Sequence, residues 1–201
     1  MYCFADSLEL CETLLAGGAR IVQLRAKSIG ETEFKRLAAG MQDMIRFRYP
    51  EAVLIINDRV DIALEIGADG IHVGQDDLDF RVVIERARPQ MIVGVSARTV
   101  EQAVAAQQAG ASYIGAGAVF ATRTKSDARV IGVETLREIV AAIDIPVVAI
   151  GGISLDNVDL VVDAGVDFIA VISAVNDAED IGIRLREFQR RLGDLPARSS
   201  I

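Results

Sequence analysis

An α/β fold, a single closed barrel of eight parallel strands each followed by a helix, is what this sequence predicts, and three observations carry it. Short apolar runs rich in Val, Ile and Ala alternate with helix-period segments from one end to the other, as strands covered on both faces require. A glycine-led phrase recurs four times at the entry to every second strand: Gly18-Ala-Arg-Ile21, Gly67-Ala-Asp-Gly-Ile71, Gly110-Ala-Ser-Tyr-Ile114 and Gly165-Val-Asp-Phe-Ile169. Glycine there suits the left-handed residue that ends a helix before the chain turns into a strand. The length, 201 residues, sits near the lower limit of the (β/α)8 TIM barrel. An open doubly wound sheet is the competitor, but the first turn carries no Gly-x-Gly-x-x-Gly and the even spacing of units favours closure.

The expected strands are Tyr2–Ala5, Ile21–Leu24, Val53–Ile56, Gly70–Val73, Met91–Val95, Tyr113–Gly115, Pro146–Ile150 and Phe168–Val171. Between them, Phe34, Leu37, Met41 and Ile45 repeat at helix spacing, as do Val133, Leu136, Val140 and Ile143, and then Ile181, Leu185, Phe188 and Leu192. Ser28-Ile-Gly-Glu31 and Thr99-Val-Glu-Gln102 match capping boxes, which satisfy the free backbone donors of a helix start. Pro50, Pro89 and Pro146 announce three of the odd-numbered strands, because proline cannot continue a helix. No linker divides the chain, so residues 1–192 are expected to form one catalytic domain, and residues 193–201 a flexible tail.

Composition narrows the function. The net charge is −8, and such a chain lacks the basic stripe that nucleic acid needs. Three Tyr, seven Phe and no Trp make no base-stacking platform. No apolar stretch reaches a membrane-spanning length, and the start has no basic region leading into a long apolar one. Cys3 and Cys11 match no metal spacing and read as reduced, buried thiols. A cytoplasmic setting is expected. Homo-oligomer formation is compatible with the sequence, which specifies no state.

The unusual polar residues fall at the carboxyl ends of the strands, where barrel enzymes place their chemistry. Strand alternation sends Gln23, Arg25 and Lys27 to one side and Leu24 to the other. Two cations beside an amide suit an anion with several oxygens. Asn57-Asp58-Arg59 follows the third strand and Gly74-Gln75-Asp76-Asp77 the fourth, so carboxylates converge opposite the basic cluster. Clustered carboxylates raise one another's pKa unless a cation separates them, and Mg²⁺ accepts one or two carboxylates plus phosphate and water. Asp76 and Asp79 read more simply as helix caps. The longest loop, after strand six, carries Thr122-Arg-Thr-Lys125, whose hydroxyls and ammonium can fold over a phosphate. Gly151-Gly152 and Ile172-Ser173 end strands seven and eight, the usual backbone phosphate site of this fold. The one histidine, His72, reads as a packed wall residue. Without a Ser-His-Asp or Cys-His set, nucleophilic hydrolysis is disfavoured.

These residues, in this order, resemble the thiamine phosphate synthase (thiamine-phosphate pyrophosphorylase) family from Ile21 to Val175. The resemblance is carried by Val22-Gln-Leu-Arg-Ala-Lys27, Ile56-Asn-Asp-Arg-Val-Asp-Ile-Ala-Leu64, Gly70-Ile-His-Val-Gly-Gln-Asp-Asp77, Gly94-Val-Ser96, Thr122-Arg-Thr-Lys125, Ala149-Ile-Gly-Gly-Ile153 and Val171-Ile-Ser-Ala174. It implies a transferase that condenses hydroxymethylpyrimidine pyrophosphate with a thiazole phosphate, giving thiamine phosphate and pyrophosphate. It further implies that Gln23, Arg25, Lys27 and Asn57 hold the departing pyrophosphate and that Asp58 and Asp77 bind Mg²⁺. Ser96 and Lys125 would lie against pyrophosphate and pyrimidine. Thr122 and Thr124, with backbone groups of Gly152, Ile172 and Ser173, would place the thiazole phosphate. Arg25, Lys27, Ser96 and Lys125 are thereby the expected catalytic residues.

Three features depart from the family pattern. Asp6-Ser7 leads at once into the first helix, Arg98 stands where many relatives carry His, and Ala118 and Ala121 replace common prolines, which loosens the loop before Thr122. A thiazole tautomerase on the same barrel and a non-catalytic phosphate-ligand sensor are the rival readings. Neither needs the carboxylate pair together with the full Gln-x-Arg-x-Lys cluster, and both features are retained.

Overall fold

The computed structural model describes residues 1–87, 89, 91–124 and 129–193. The expected tail from residue 194 onward, and Lys125, lie outside the described residues. The order of elements is β1 (Tyr2–Ala5), α1 (Leu8–Ala16), β2 (Ile21–Leu24), α2 (Glu31–Arg48), β3 (Val53–Asn57), α3 (Val60–Ile66), β4 (Gly70–Val73), α4 (Phe80–Ala87), β5 (Ile92–Ala97), α5 (Val100–Ala109), β6 (Tyr113–Gly117), α6 (Gly132–Ala142), β7 (Val147–Ile150), α7 (Val158–Val162), β8 (Phe168–Ala170), α8 (Ser173–Asn176) and α9 (Ile181–Leu192). All strand pairs are parallel, and β8 returns to β1 through Tyr2 and Ala170, so the sheet closes as a (β/α)8 barrel.

Two apolar layers follow from strand alternation. Val22, Leu24, Leu54, Ile56, Ile71, Val93 and Val95 face outward and pack against Phe34, Met41, Leu136 and Phe188 of the helices. Tyr2, Phe4, Ile21, Ile55, Tyr113, Val148 and Ala170 point inward and fill the barrel. The helix stripes bury as expected on Phe34, Met41 and Ile45 of α2, and on Leu185, Phe188 and Leu192 of α9. The four recurrent glycines all have positive φ, from 62° at Gly67 to 98° at Gly18 and Gly110. An L side chain resists that conformation, and the phrase is therefore a backbone requirement.

Several boundaries differ from expectation, each for a local reason. Strands β3, β5 and β6 run on to Asn57, Ala97 and Gly117, because ladder pairing continues past the apolar run: Asn57 pairs with His72, Ala97 with Ala116 and Gly117 with Ile150. Met91, Pro146 and Val171 fall just outside their strands. Ser28 does not cap α2, whose N-cap is Gly30 without a side-chain bond. Thr99 does cap α5, accepting the Gln102 N–H at 3.3 Å, while Gln102 Oε1 reaches one residue further back to the Arg98 N–H at 2.7 Å. Asp6-Ser7 is as short a connection as expected, with Ser7 Oγ capping α1 by accepting the Leu10 N–H.

Candidate active site

One cavity of about 940 Å³ opens at the carboxyl ends of the strands. Gln23, Arg25, Lys27, Asn57, Asp58, Asp77, Ser96, Thr122, Thr124, Gly152, Ile172 and Ser173 all line it. Residues that lie far apart in the chain meet there because eight strand ends converge on one mouth.

The β2 residues form a graded series. Gln23 is buried, and Arg25 is half-buried and anchored through its N–H to the Ala5 carbonyl. Lys27 is exposed at the rim. Gln23 therefore lies one pleat below the two cations, its Nε2 donating to Tyr2 Oη at 2.7 Å. Arg59, the third cation of this region, lies over the Phe34 ring at 4.5 Å and donates to the Ile29 carbonyl. It ties the loop after β2 to the Phe34 face of α2.

Asp58 stands at the end of β3 with φ 60°, the only non-glycine residue of positive φ among those described. A conformation this uncommon at a strand end fixes the direction of the carboxylate. Lys27 Nζ lies 3.5 Å from Asp58 Oδ2, so the basic and acidic clusters join at one edge. Burial and the neighbouring Asp77 carboxylate push the Asp58 pKa up, with Lys27 and Asn57 pulling the other way. Asp77 is exposed and accepts the Gly74 N–H through Oδ2 at 2.8 Å. Facing carboxylates with this mutual repulsion are hard-oxygen donors suited to a divalent cation that keeps open positions. Among the described residues no third His, Cys, Asp or Glu joins them. Asp76, expected as a helix cap, instead pairs with Arg98 at 3.2 Å. Asp79 meets expectation, accepting the Arg81 N–H at 2.9 Å.

The opposite wall is backbone. Gly151 and Gly152 have φ of 102° and 65°. A side chain at Gly151 would collide with Ala118 at 2.5 Å, and one at Gly152 with Phe120 and the Ala121 carbonyl. Their small size therefore serves the loop after β6 as well as the cavity. That loop is clamped at its base, with Val119, Phe120 and Ile131 N–H groups donating to Ile150, Gly151 and Ala118 carbonyls at 2.8–3.0 Å. Thr122 Oγ1 accepts the Thr124 N–H at 3.3 Å, which turns this segment over the opening.

The profile of the thiamine monophosphate synthase family matches residues 2–175. The chain belongs to the thiamine monophosphate synthase family. It is 46% identical over 174 residues to the thiamine-phosphate synthase of Ruminiclostridium cellulolyticum, covering 86% of this chain and 81% of that one. Against the Pyrococcus furiosus thiamine-phosphate synthase it is 44% identical over 183 residues, covering 91% and 87%. The solved thiamine phosphate pyrophosphorylase of Pyrococcus furiosus superposes with a TM-score of 0.88 at 40% identity, over 97% of this chain and 96% of that one.

In this member of the thiamine monophosphate synthase family, the floor of the cavity holds Tyr2 and Tyr113, for which the sequence suggested no site role, beside His72, the expected packed wall residue. Tyr2 and Tyr113, two buried aromatics of ordinary strands, touch through their hydroxyls at 2.8 Å. His72 lies beside them, its pKa lowered to about 4 by burial, against a smaller opposing pull from Asp77. Burial raises the pKa of both phenols, so all three groups are neutral at pH 7. The signal was present in strand parity: Tyr2, His72 and Tyr113 share the inward face with Gln23 and Ser96. No helix among the described residues is long and apolar enough to cross a membrane. Cys3 and Cys11 are free and buried.

Proposed function

We propose that this chain condenses hydroxymethylpyrimidine pyrophosphate with a thiazole phosphate, forming thiamine phosphate and releasing pyrophosphate. The observation that carries the reading is the meeting of Arg25, Lys27 and the Asp58–Asp77 pair at one edge of a cavity whose far wall is formed by Gly151, Gly152, Ile172 and Ser173. In the reaction, the bond from the pyrimidine methylene carbon to pyrophosphate oxygen breaks and a bond from that carbon to the thiazole nitrogen forms. The aminopyrimidine ring releases electron density to the methylene, which favours early departure of pyrophosphate.

Each residue then has a task. Arg25, Lys27 and Asn57 hold the pyrophosphate and absorb its growing charge, with Lys125 as a further cation from the loop after β6. Asp58 and Asp77 would hold Mg²⁺, which would supply further neutralisation of the departing group's charge. Gln23 was expected on the pyrophosphate with these residues; buried below the two cations and tied to Tyr2, it is assigned here to the pyrimidine side of the substrate, with Ser96 across from it. Thr122, Thr124 and the backbone of Gly152, Ile172 and Ser173 place the thiazole phosphate, holding the nucleophilic nitrogen in line and lowering the entropic barrier. No protein base is required, which agrees with a neutral, half-buried His72 held by Tyr113 and Ser96. The two unpaired thiols support a cytoplasmic setting.

The test is turnover with both precursors, with Mg²⁺ or with a chelator. Magnesium-dependent pyrophosphate release that needs both precursors supports the condensation. Proton exchange within the thiazole phosphate without release would assign the tautomerase reaction instead, and tight binding with neither would assign a sensor.

A further inference from the structure

The floor of the cavity carries an unbroken file of polar atoms that the substrate contacts above leave unexplained. Gln23 Nε2 lies 2.7 Å from Tyr2 Oη, Tyr2 Oη 2.8 Å from Tyr113 Oη, Tyr113 Oη 2.9 Å from His72 Nδ1, and His72 Nε2 2.9 Å from Ser96 Oγ. Five residues from β2, β1, β6, β4 and β5 thus cross the barrel. Room for them is built into the strands. A methyl at Gly94 would overlap the Tyr113 ring, and one at Gly115 would stand 2.9 Å from His72 Cε1.

The sense of the file follows from counting protons. Gln23 Nε2 can only donate, so Tyr2 Oη accepts from it and must direct its own proton to Tyr113. Tyr113 then donates to His72 Nδ1, which must be bare. A neutral ring therefore carries its proton on Nε2 and donates to Ser96 Oγ. The Ser96 proton is left free to point into the cavity, and the Gln23 amide oxygen is left as an acceptor. We infer that His72, with Tyr2 and Tyr113, is a positioning residue that locks the donor–acceptor sense of Gln23 and Ser96 together. The two ends then suit a ring with an amino donor facing Gln23 and a lone pair, ring nitrogen or diphosphate oxygen, facing Ser96. That last step rests on the aminopyrimidine reading above. Reversing one end reverses every bond between them.

The chain has one histidine, so nitrogen NMR of imidazole-labelled protein reads its tautomer without ambiguity. The wild-type ring is expected as the neutral Nε2–H tautomer at about pH 8, well above the imidazole range. An Nδ1–H tautomer, or an imidazolium, overturns the inference. In Gln23→Glu, with the carboxylate confirmed ionised by its infrared band, residue 23 can only accept. His72 must then switch to Nδ1–H, and adding Tyr2→Phe must abolish the switch. An unchanged tautomer in the ionised variant, or a switch that survives Tyr2→Phe, overturns the coupling. Should Gln23→Glu not fold, the wild-type spectrum and turnover of Tyr113→Phe decide. That variant is expected to raise KM for the pyrimidine diphosphate about tenfold, the size of one lost hydrogen bond, with KM for the thiazole phosphate unmoved. An equal effect on both, or none, overturns the inference. A protein with the predicted tautomer and switch but no condensation would retain the relay and refute the substrate reading.

Discussion

Gly94→Ala is the smallest change that tests how the cavity floor is built. Gly94 pairs with His72 on one side and Tyr113 on the other, so its main chain is held by both ladders and cannot retreat. An added methyl would overlap Tyr113 at Cζ, Oη and Cε1, and the ring must give way. Overpacking of this kind costs about 1–3 kcal/mol. Displacing the phenol also breaks its bonds to Tyr2 and His72, at roughly 1 kcal/mol each. Together these give a destabilisation of about 3–5 kcal/mol. At roughly 2–4 °C per kcal/mol for a chain of this size, Tm should fall by on the order of 6–20 °C. The assay is urea and thermal unfolding followed by circular dichroism, with the denaturant slope checked for constancy. If the clash is with the ring, Gly94→Ala combined with Tyr113→Leu should be much less damaging than the sum of the single changes. A Tm within a degree of wild type, or strict additivity in the double variant, would refute the packing argument.

The other consequences concern chemistry. Arg25→Ala should lower turnover by on the order of 10²–10³ with little change in Tm, since a charge-stabilising donor acts in the transition state; a lower Tm with normal turnover would make it structural. Asp58→Gly removes a left-handed aspartate at about 1–2 kcal/mol, offset by the roughly 0.5–1 kcal/mol that glycine loses on folding. Tm should therefore rise slightly while turnover collapses at every Mg²⁺ concentration, and retained activity would remove Asp58 as a ligand. Acid should destabilise the fold through His72, whose pKa falls from 6.5 to about 4 on folding. The unfolded chain binds the proton first, so this contribution is complete above pH 6.5 and is lost as pH falls through the window down to about 4. It amounts to roughly 2–3 kcal/mol, allowing for solvent that reaches the ring through the cavity. The difference in unfolding free energy between wild type and His72→Gln should shrink across that window, and a constant difference would contradict the shift.

Most of the fold was legible because its signals are local. The positive-φ glycines at 18, 67, 110 and 165 mark helix ends wherever they occur, and the apolar runs mark strands buried on both faces. The strand ends at Asn57, Ala97 and Gly117 were less legible, since ladder pairing with a neighbour extends a strand past its apolar residues. Ser28 shows the same limit for helices: its spacing to Glu31 fits a capping box, but the chain enters α2 through Gly30. The rim of the site was readable from residue type, because Arg25, Lys27, Asp58 and Asp77 are charges at strand ends. The floor was not. Tyr2, Tyr113 and His72 resemble ordinary core residues one at a time, and their meeting depends on the shear of a closed barrel and on the space left by Gly94 and Gly115. Asp76 was misjudged for a related reason, because its partner Arg98 comes from the end of the next strand.

In the proposed reaction a basic edge and a carboxylate pair act together on a diphosphate at one opening. Calorimetric titration of inorganic pyrophosphate into the protein, with Mg²⁺ and with chelator, addresses that directly. Binding should require Mg²⁺ and be lost in Asp58→Asn and in Arg25→Ala alike. Equal affinity with and without the metal, or affinity indifferent to both substitutions, would contradict it.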